Sequence, residues 1–358
     1  MARSFETLSD LLAHGFDAVI DVRSPSEFAE DHIPGAINLP VLSDAERAEV
    51  GTIYVQQSAF LGRKLGAAKV FRNAATHIET TLRDFDGGWQ PLVYCWRGGQ
   101  RSGSFAWMLG QIGWRAETVA GGYQSFRRLV ARTLYDEPLP HPLVLLDGYT
   151  GTAKTELLHL LATRGVQVLD LEGLAGHRGS LLGGLDAPQP RQKAFETGIA
   201  MALSQLDPAR PVVVEAESSK IGERIIPPSL WSAMKAAPRI GIAADIGART
   251  RYLCDVYDDV LADSDRLRKR LGHLRDFRGH KIVDDWFALI DAGDTETLTR
   301  DLMQQHYDPA YEKSRRAIGA DTIATITAET LDPAGLNTVA ARIEAVVDDI
   351  AQGLDSTS

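Results

Sequence analysis

"PLVYCWRGGQRSGSFAWMLGQIGW", Pro91 to Trp114, opens as an apolar strand and passes through a loop of glycines and arginines. It then continues as a helix with apolar residues at Phe105, Met108, Leu109 and Ile112. A strand that turns through glycine into an amphipathic helix is the repeating unit of a parallel α/β sheet. The stretch also holds Cys95, one of two cysteines in the chain, at the strand end. Loop amides and a helix N-terminus favour negative charge there, and Arg97 and Arg101 add to it. Such a place suits a thiolate nucleophile. It equally suits a small buried cysteine packed at a strand end.

Upstream, "FDAVIDVRS" is a second short strand. "SPSEFAEDHI" follows with Ser24 and Glu27 spaced as a capping box around Pro25, the signature of a helix start. Downstream, "AETVAGGYQSFRRLV" gives another strand, a Gly-Gly turn and a helix. "DEPLPHP", Asp136 to Pro142, then places three prolines in seven residues, which reads as a stiff linker. Two domains are the natural expectation for 358 residues. Their expected bounds are 1–135, a linker at 136–143, a second domain at 144–350 and a disordered tail at 351–358.

The second domain repeats the pattern. "LVLLDGYTGTAKTELLHLLATRG" is strand, glycine loop and helix, and "VQVLDLE", "ARPVVVEAES" and "RIGIAADI" are further strand candidates. Beyond Arg249 the chain reads as helical and highly charged. "GYTGTAKT", Gly148 to Thr155, sits between a strand and a helix as a phosphate-binding P-loop does. Lys154 would meet a β-phosphate, Thr155 would hold magnesium, and Gly148, Gly151, Thr152 and Ala153 would let the backbone wrap the phosphates. Ala153 stands where a glycine normally precedes the lysine. Asp147, Glu215 and Glu217 are candidate magnesium or base positions, although acids at strand ends also serve as caps.

Composition narrows the setting. The chain has 44 % hydrophobic and 24 % charged residues and a net charge of −10. No apolar run approaches the roughly 18 residues of a membrane span, and the N-terminus has no signal-like apolar core, so a cytoplasmic location is expected. Cys95 and Cys254 stand in unmatched contexts, which makes a disulfide or a zinc site improbable. The negative balance argues against general nucleic-acid affinity and leaves room for a local basic patch. "RLRKRLGHLRDFRGHK", Arg266 to Lys281, carries seven Lys or Arg against one acid. Its Arg266, Arg268, Lys269, Arg270, Arg275, Arg278 and Lys281 are candidates for RNA phosphate contacts, against the plainer reading of a solvated helix face.

"DVRSPSEFAEDHIPGAINLP", Asp21 to Pro40, resembles the first half of a rhodanese domain, and the Cys95 loop with "AGGYQSF" resembles the second. The loop, Trp96 to Gln100 between Cys95 and Arg101, is one residue longer than in sulfur-carrying rhodaneses and is similar to that of related phosphatases which cradle a tetrahedral phosphate. A rhodanese domain followed by a P-loop domain, with "DLEGLAGHRGSLLGG" and "QPRQKAFE" downstream, resembles the tRNA 2-selenouridine synthase family. That resemblance implies an enzyme that geranylates wobble 2-thiouridine in tRNA from geranyl diphosphate. It then replaces the geranylated sulfur with selenium from selenophosphate.

Under the resemblance, Cys95 is catalytic, and Trp96, Arg97, Gly98, Gly99, Gln100 and Arg101 receive selenophosphate, while the P-loop receives the diphosphate. Tightly bound cofactors are not expected, magnesium is a candidate ion, and selenophosphate synthetase is a candidate partner. The rival reading is a rhodanese-type sulfurtransferase or phosphatase fused to a small-molecule P-loop kinase.

Overall fold

The computed structural model describes residues 1–180, 182–185, 187–318 and 321–355. Its strands are β1 (Ala2–Arg3), β2 (Ala18–Asp21), β3 (Ile37–Asn38), β4 (Pro91–Tyr94), β5 (Glu117–Val119), β6 (Leu143–Gly148), β7 (Gln167–Leu169), β8 (Val212–Glu215), β9 (Lys220–Ile221), β10 (Arg224–Ile225), β11 (Arg239–Ala244) and β12 (Thr322–Ala328). They form two five-stranded parallel sheets, ordered β1-β5-β4-β2-β3 and β12-β11-β6-β8-β7, and a small antiparallel pair, β9 with β10. Parallel strands are covered on both faces by helices, which is why most of them read as short apolar runs.

Two compact units result. The first comprises Met1–Asp136 with Arg191–Ala200, and the second comprises Glu137–Pro190 with Met201–Ser358. Residues Arg191–Ala200, read from the sequence as part of the second domain, therefore belong with the first. The reason is polar: Lys193 pairs with Glu30 at 2.7 Å, Thr197 donates to buried Asp31 at 3.1 Å, and Arg127 binds Glu196.

In the first unit β2 and β4 run in register, with Asp21 opposite Tyr94, so the two strands end together beneath the Cys95 loop. Ile20, Val93, Phe105 and Leu109 are buried between sheet and helix. The capping reach of Glu27 to the Ser24 amide is present at 3.1 Å, and the helix Pro25–Glu30 starts there. Two helices, Asp44–Gln56 and Ala59–Glu79, are inserted between β3 and β4.

In the second unit β6 lies between β11 and β8, and Leu146 pairs with Glu215. Leu146, Leu157, Leu161, Val213 and Ile242 form one core, and the charged helices beyond form another around Trp286. Two expectations are corrected here. The region beyond Arg249 is not wholly helical, because β12 returns to pair in parallel with β11. The expected tail is helical as far as Asp355, as the last turns of the helix Pro333–Asp355, and residues 356–358 lie outside the described residues.

Candidate functional sites

Both candidate loops leave the carboxyl ends of central strands, where α/β sheets place ligands. Cys95 follows β4 directly and is 3 % exposed. Its Sγ accepts hydrogen bonds from the Gly99 amide at 3.3 Å and the Ser102 hydroxyl at 3.2 Å. Gln100 begins the helix Gln100–Ile112. The loop is clasped from behind, where Tyr123 N–H donates to Cys95 O at 2.8 Å and Gln124 N–H to Trp96 O at 3.1 Å. Gly98 and Gly122 are required at this clasp. Both have positive φ, and a Cβ on Gly122 would lie 2.2 Å from Cys95 O.

Below the loop, Arg23 is buried against Asp21 at 2.7 Å, with its guanidinium 3.9 Å from the Tyr123 ring centre. Asp31 accepts from the Tyr123 hydroxyl at 2.8 Å. Burial raises its carboxyl above the ordinary value, against the pull of Tyr123, Thr197 and Arg127.

Arg101 is turned to Glu27, at 2.9 Å. Burial pushes the Glu27 carboxyl up, but the Arg101 hydrogen bond and charge, with the Ser24 amide and Arg47 behind them, outweigh it and hold the group below its ordinary value. Arg97 is exposed, and Trp96 is half-buried. Ser102 was not a sequence candidate. It stands in the first helical turn, where Cβ atoms point back toward the N-terminus and so toward the loop.

In the second unit β6 ends at Gly148 and the helix Lys154–Thr163 begins at Lys154. A Cβ on Gly148 would lie 2.6 Å from Thr152 Oγ1, and Gly151 has φ +85°. Ala153 is the one non-glycine residue with positive φ among the described residues, at 57°, which is the left-handed conformation that a glycine adopts freely. Lys154 Nζ donates to Gly148 O at 2.8 Å.

Thr155 Oγ1 stands between Glu215, at 2.5 Å, and Glu172, at 3.1 Å. Glu172 was missed; it stands in the first turn of the short helix Leu171–Ala175, which Asp170 caps just past β7. Burial first, then the charge of Glu172, pushes the Glu215 carboxyl up to about 8. Burial raises Glu172 and Glu217 as well, followed by the charge of Glu217 on the first and of Glu215 on the second. Glu215 Oε2 is buried without a hydrogen-bond partner. Asp147 does not join this group, for it is buried against Arg239 at 3.2 Å and Arg315 at 3.3 Å. Among the described residues no set of three His, Cys, Asp or Glu side chains is grouped to hold a metal ion.

A cavity of about 540 Å³ is lined by Lys154, Thr155, Glu172 and Glu217, by the cations Arg178, Lys235, Arg239 and Arg315, and by apolar and aromatic side chains that include Trp231, Met234, Leu253, Val256 and Tyr257. A small recess lined by Leu182, Leu253, Leu261, Leu302 and Met303 shares Leu253 and Tyr257 with it. Cys254 is half-buried on the helix Ile246–Val256, its sulfur 3.6 Å from Thr299 Oγ1.

The basic run is not the free patch that its composition suggests. Leu267 and Leu271 bury one face of its first helix, which brings the arginines against neighbouring groups. Arg266 donates to Gly184 O at 3.0 Å and Arg270 to Leu182 O at 2.7 Å. Arg268 pairs with Asp291, Arg275 with Asp284 at 2.5 Å, and Arg278 donates to His306 O at 3.0 Å. The missing counter-charges stand just beyond the run, on the helix His280–Ala292. Lys269 and Lys281 are exposed.

A cysteine loop and a glycine-containing loop, each between a strand and a helix of its own parallel sheet, define the class. The model of the rhodanese-like domain matches residues 4–129, and that of the tRNA 2-selenouridine synthase AAA domain matches residues 141–264. The tRNA 2-selenouridine synthase of Alcanivorax borkumensis is 34 % identical over 334 residues, spanning 84 % of this chain and 90 % of that protein. That of Shewanella sp. (strain ANA-3) is 32 % identical over 323 residues, spanning 82 % of this chain and 87 % of that protein. The chain belongs to the tRNA 2-selenouridine synthase family. Among solved structures, a rhodanese-related protein from Thermoplasma volcanium matches 35 % of this chain and 92 % of its own, at 20 % identity and a TM-score of 0.22. No helix among the described residues is long and apolar enough to cross a membrane.

Proposed function

We propose that this chain is a cytoplasmic transferase that converts wobble 2-thiouridine of tRNA to 2-selenouridine through a geranylated intermediate. Geranyl diphosphate occupies the P-loop cavity, with its diphosphate on Lys154 and the start of the following helix and its terpenyl tail on the apolar side chains. The 2-thiouridine sulfur attacks the allylic carbon, forming a C–S bond as the C–O bond to diphosphate breaks. Selenophosphate then meets the Cys95 loop, where the Gly99 amide, the Ser102 hydroxyl and Arg97 favour an anion. The selenium of selenophosphate attacks C2 of the modified base, the C2–S bond breaks and the sulfur departs as the geranyl thiol, and water then cleaves the Se–P bond and carries the phosphoryl group away as phosphate.

Magnesium fits the P-loop site in one respect. The hydroxyl of Thr155 and the unpartnered Glu215 oxygen stand together where they would hold it, and the ion would offset diphosphate charge.

The observation that carries the reading is the cavity itself, in which a phosphate loop opens onto aliphatic and aromatic side chains. Each buried CH₂ contributes roughly 0.8 kcal/mol, so a ten-carbon tail should tighten binding over inorganic diphosphate by at least about a hundredfold. Calorimetry with geranyl diphosphate, diphosphate and ATP, on the wild type and on Lys154→Ala, tests this. Geranyl diphosphate is expected to bind most tightly and to depend on Lys154. Tighter, lysine-dependent ATP binding with tRNA-stimulated hydrolysis would instead favour the kinase fusion.

A further inference from the structure

Five of the seven cations of the basic run already hold protein partners, and on a chain of net charge −10 a second cationic surface stands beside the Cys95 loop. In the first unit a cavity of about 420 Å³ is lined by Trp96, Tyr123, Gln124, Arg127, Arg128 and Lys193, three cations and no carboxylate. Its wall is continuous with the reactive loop, because Tyr123 and Gln124 are the residues whose amides clasp Cys95 O and Trp96 O. Trp96 leans on Tyr123 with ring centres 5.2 Å apart, and Lys193 Nζ lies 5.8 Å from the Trp96 ring centre.

Arg127 is locked beneath by Glu196 and by Thr197 at 3.4 Å. Arg128 is exposed and held by Ser125 Oγ at 2.8 Å. The Lys193–Glu30 pair is partly exposed on both sides, so an incoming phosphate can compete for the lysine. Trp96 also borders a second cavity, where Arg47, Arg101 and Arg191 stand with the carboxylates Glu27 and Glu30.

We propose that the Trp96–Tyr123–Gln124 cavity holds one unstacked nucleotide of single-stranded RNA beside Cys95. The base stacks on Trp96, the Gln124 amide faces its edge, and Arg128 and Lys193 take the flanking phosphates. An aromatic floor with cations and an amide is how proteins hold splayed-out bases, and the volume suits one nucleoside. A small tetrahedral anion needs the charge but has no use for the floor. The inference rests on the proposed reaction of an RNA base at the Cys95 loop, and it supplies the position of that base.

The test is fluorescence anisotropy of the full chain with a labelled 17-nucleotide anticodon stem-loop RNA carrying 2-thiouridine. Replacing Arg128→Ala and Lys193→Ala together should weaken binding about tenfold and reduce the salt slope by about 1.4, near 0.7 per single-strand phosphate contact. Trp96→Leu should weaken binding about tenfold with the slope unchanged, as loss of stacking requires. Geranyl diphosphate binding, measured on each variant, should stay at the wild-type value. Wild-type RNA binding in all these variants would overturn the site and leave the proposed reaction standing. If the wild-type chain itself fails to bind the RNA, the proposed reaction falls and the site with it.

Discussion

Gly122 is the position where the clasp behind the Cys95 loop can be strained by a single methyl group. In Gly122→Ala the new Cβ would lie 2.2 Å from Cys95 O and 2.5 Å from Gly98 N, both backbone atoms that cannot swing away. The left-handed conformation, at φ +58°, costs alanine about 1 kcal/mol, and overpacking against rigid neighbours adds roughly 1–3 kcal/mol. A loss of about 3 kcal/mol follows for the first unit, a fall of about 10 °C in its calorimetric transition at the usual few degrees per kcal/mol. Gly103→Ala is the matched control, since Gly103 is exposed inside the helix Gln100–Ile112 with nothing within 4 Å of a Cβ. It should gain about 0.5–1 kcal/mol. Iodoacetamide labelling of Cys95 should change in Gly122→Ala alone, because only there is the loop displaced. A Gly122→Ala variant with an unshifted transition and unchanged labelling would refute the clasp.

Ser102→Ala removes one of two donors to Cys95 Sγ and should slow alkylation of that cysteine several-fold at neutral pH without unfolding the unit; an unchanged rate would make the 3.2 Å contact incidental. Glu215, pushed up to about 8 in the folded chain from 4.5, keeps its proton there through a range in which the unfolded chain has lost it. The stability this adds is complete below about pH 4.5 and is lost as pH rises through about 8, by about 1.4 kcal/mol per unit. Glu215→Gln should therefore gain on the wild type between about pH 5 and pH 8.5, and a constant difference in melting temperature would exclude the effect. Lys269→Ala with Lys281→Ala should leave the RNA salt slope unchanged, whereas a drop of about one unit would restore the basic run as the RNA contact.

The two loops were legible because their information is local. A strand, a glycine turn and an amphipathic helix leave their pattern in some twenty consecutive residues, which placed Cys95 just past a strand and Lys154 and Thr155 at the start of a helix. Features built by distant contacts were not legible. Ser102 meets Cys95 only because of the rotation of its helix. Glu172 meets Thr155 across two strand ends, and Arg191–Ala200 joins the first unit through Asp31, Glu30 and Arg127. The basic run looked unbalanced because its acids, Asp284 and Asp291, begin three residues after it. The alternation in "TIATITA" is a local trace of β12, but its place beside β11 is set by pairing with a strand about eighty residues upstream.

The most direct test is nucleoside mass analysis of 2-thiouridine tRNA incubated with the purified chain, geranyl diphosphate and selenophosphate. The wild type should yield 2-selenouridine, and Cys95→Ala should stop at geranylated 2-thiouridine. Full conversion to 2-selenouridine by Cys95→Ala, or no modified nucleoside from the wild type, would contradict a cysteine loop that delivers selenium after geranyl transfer at the P-loop.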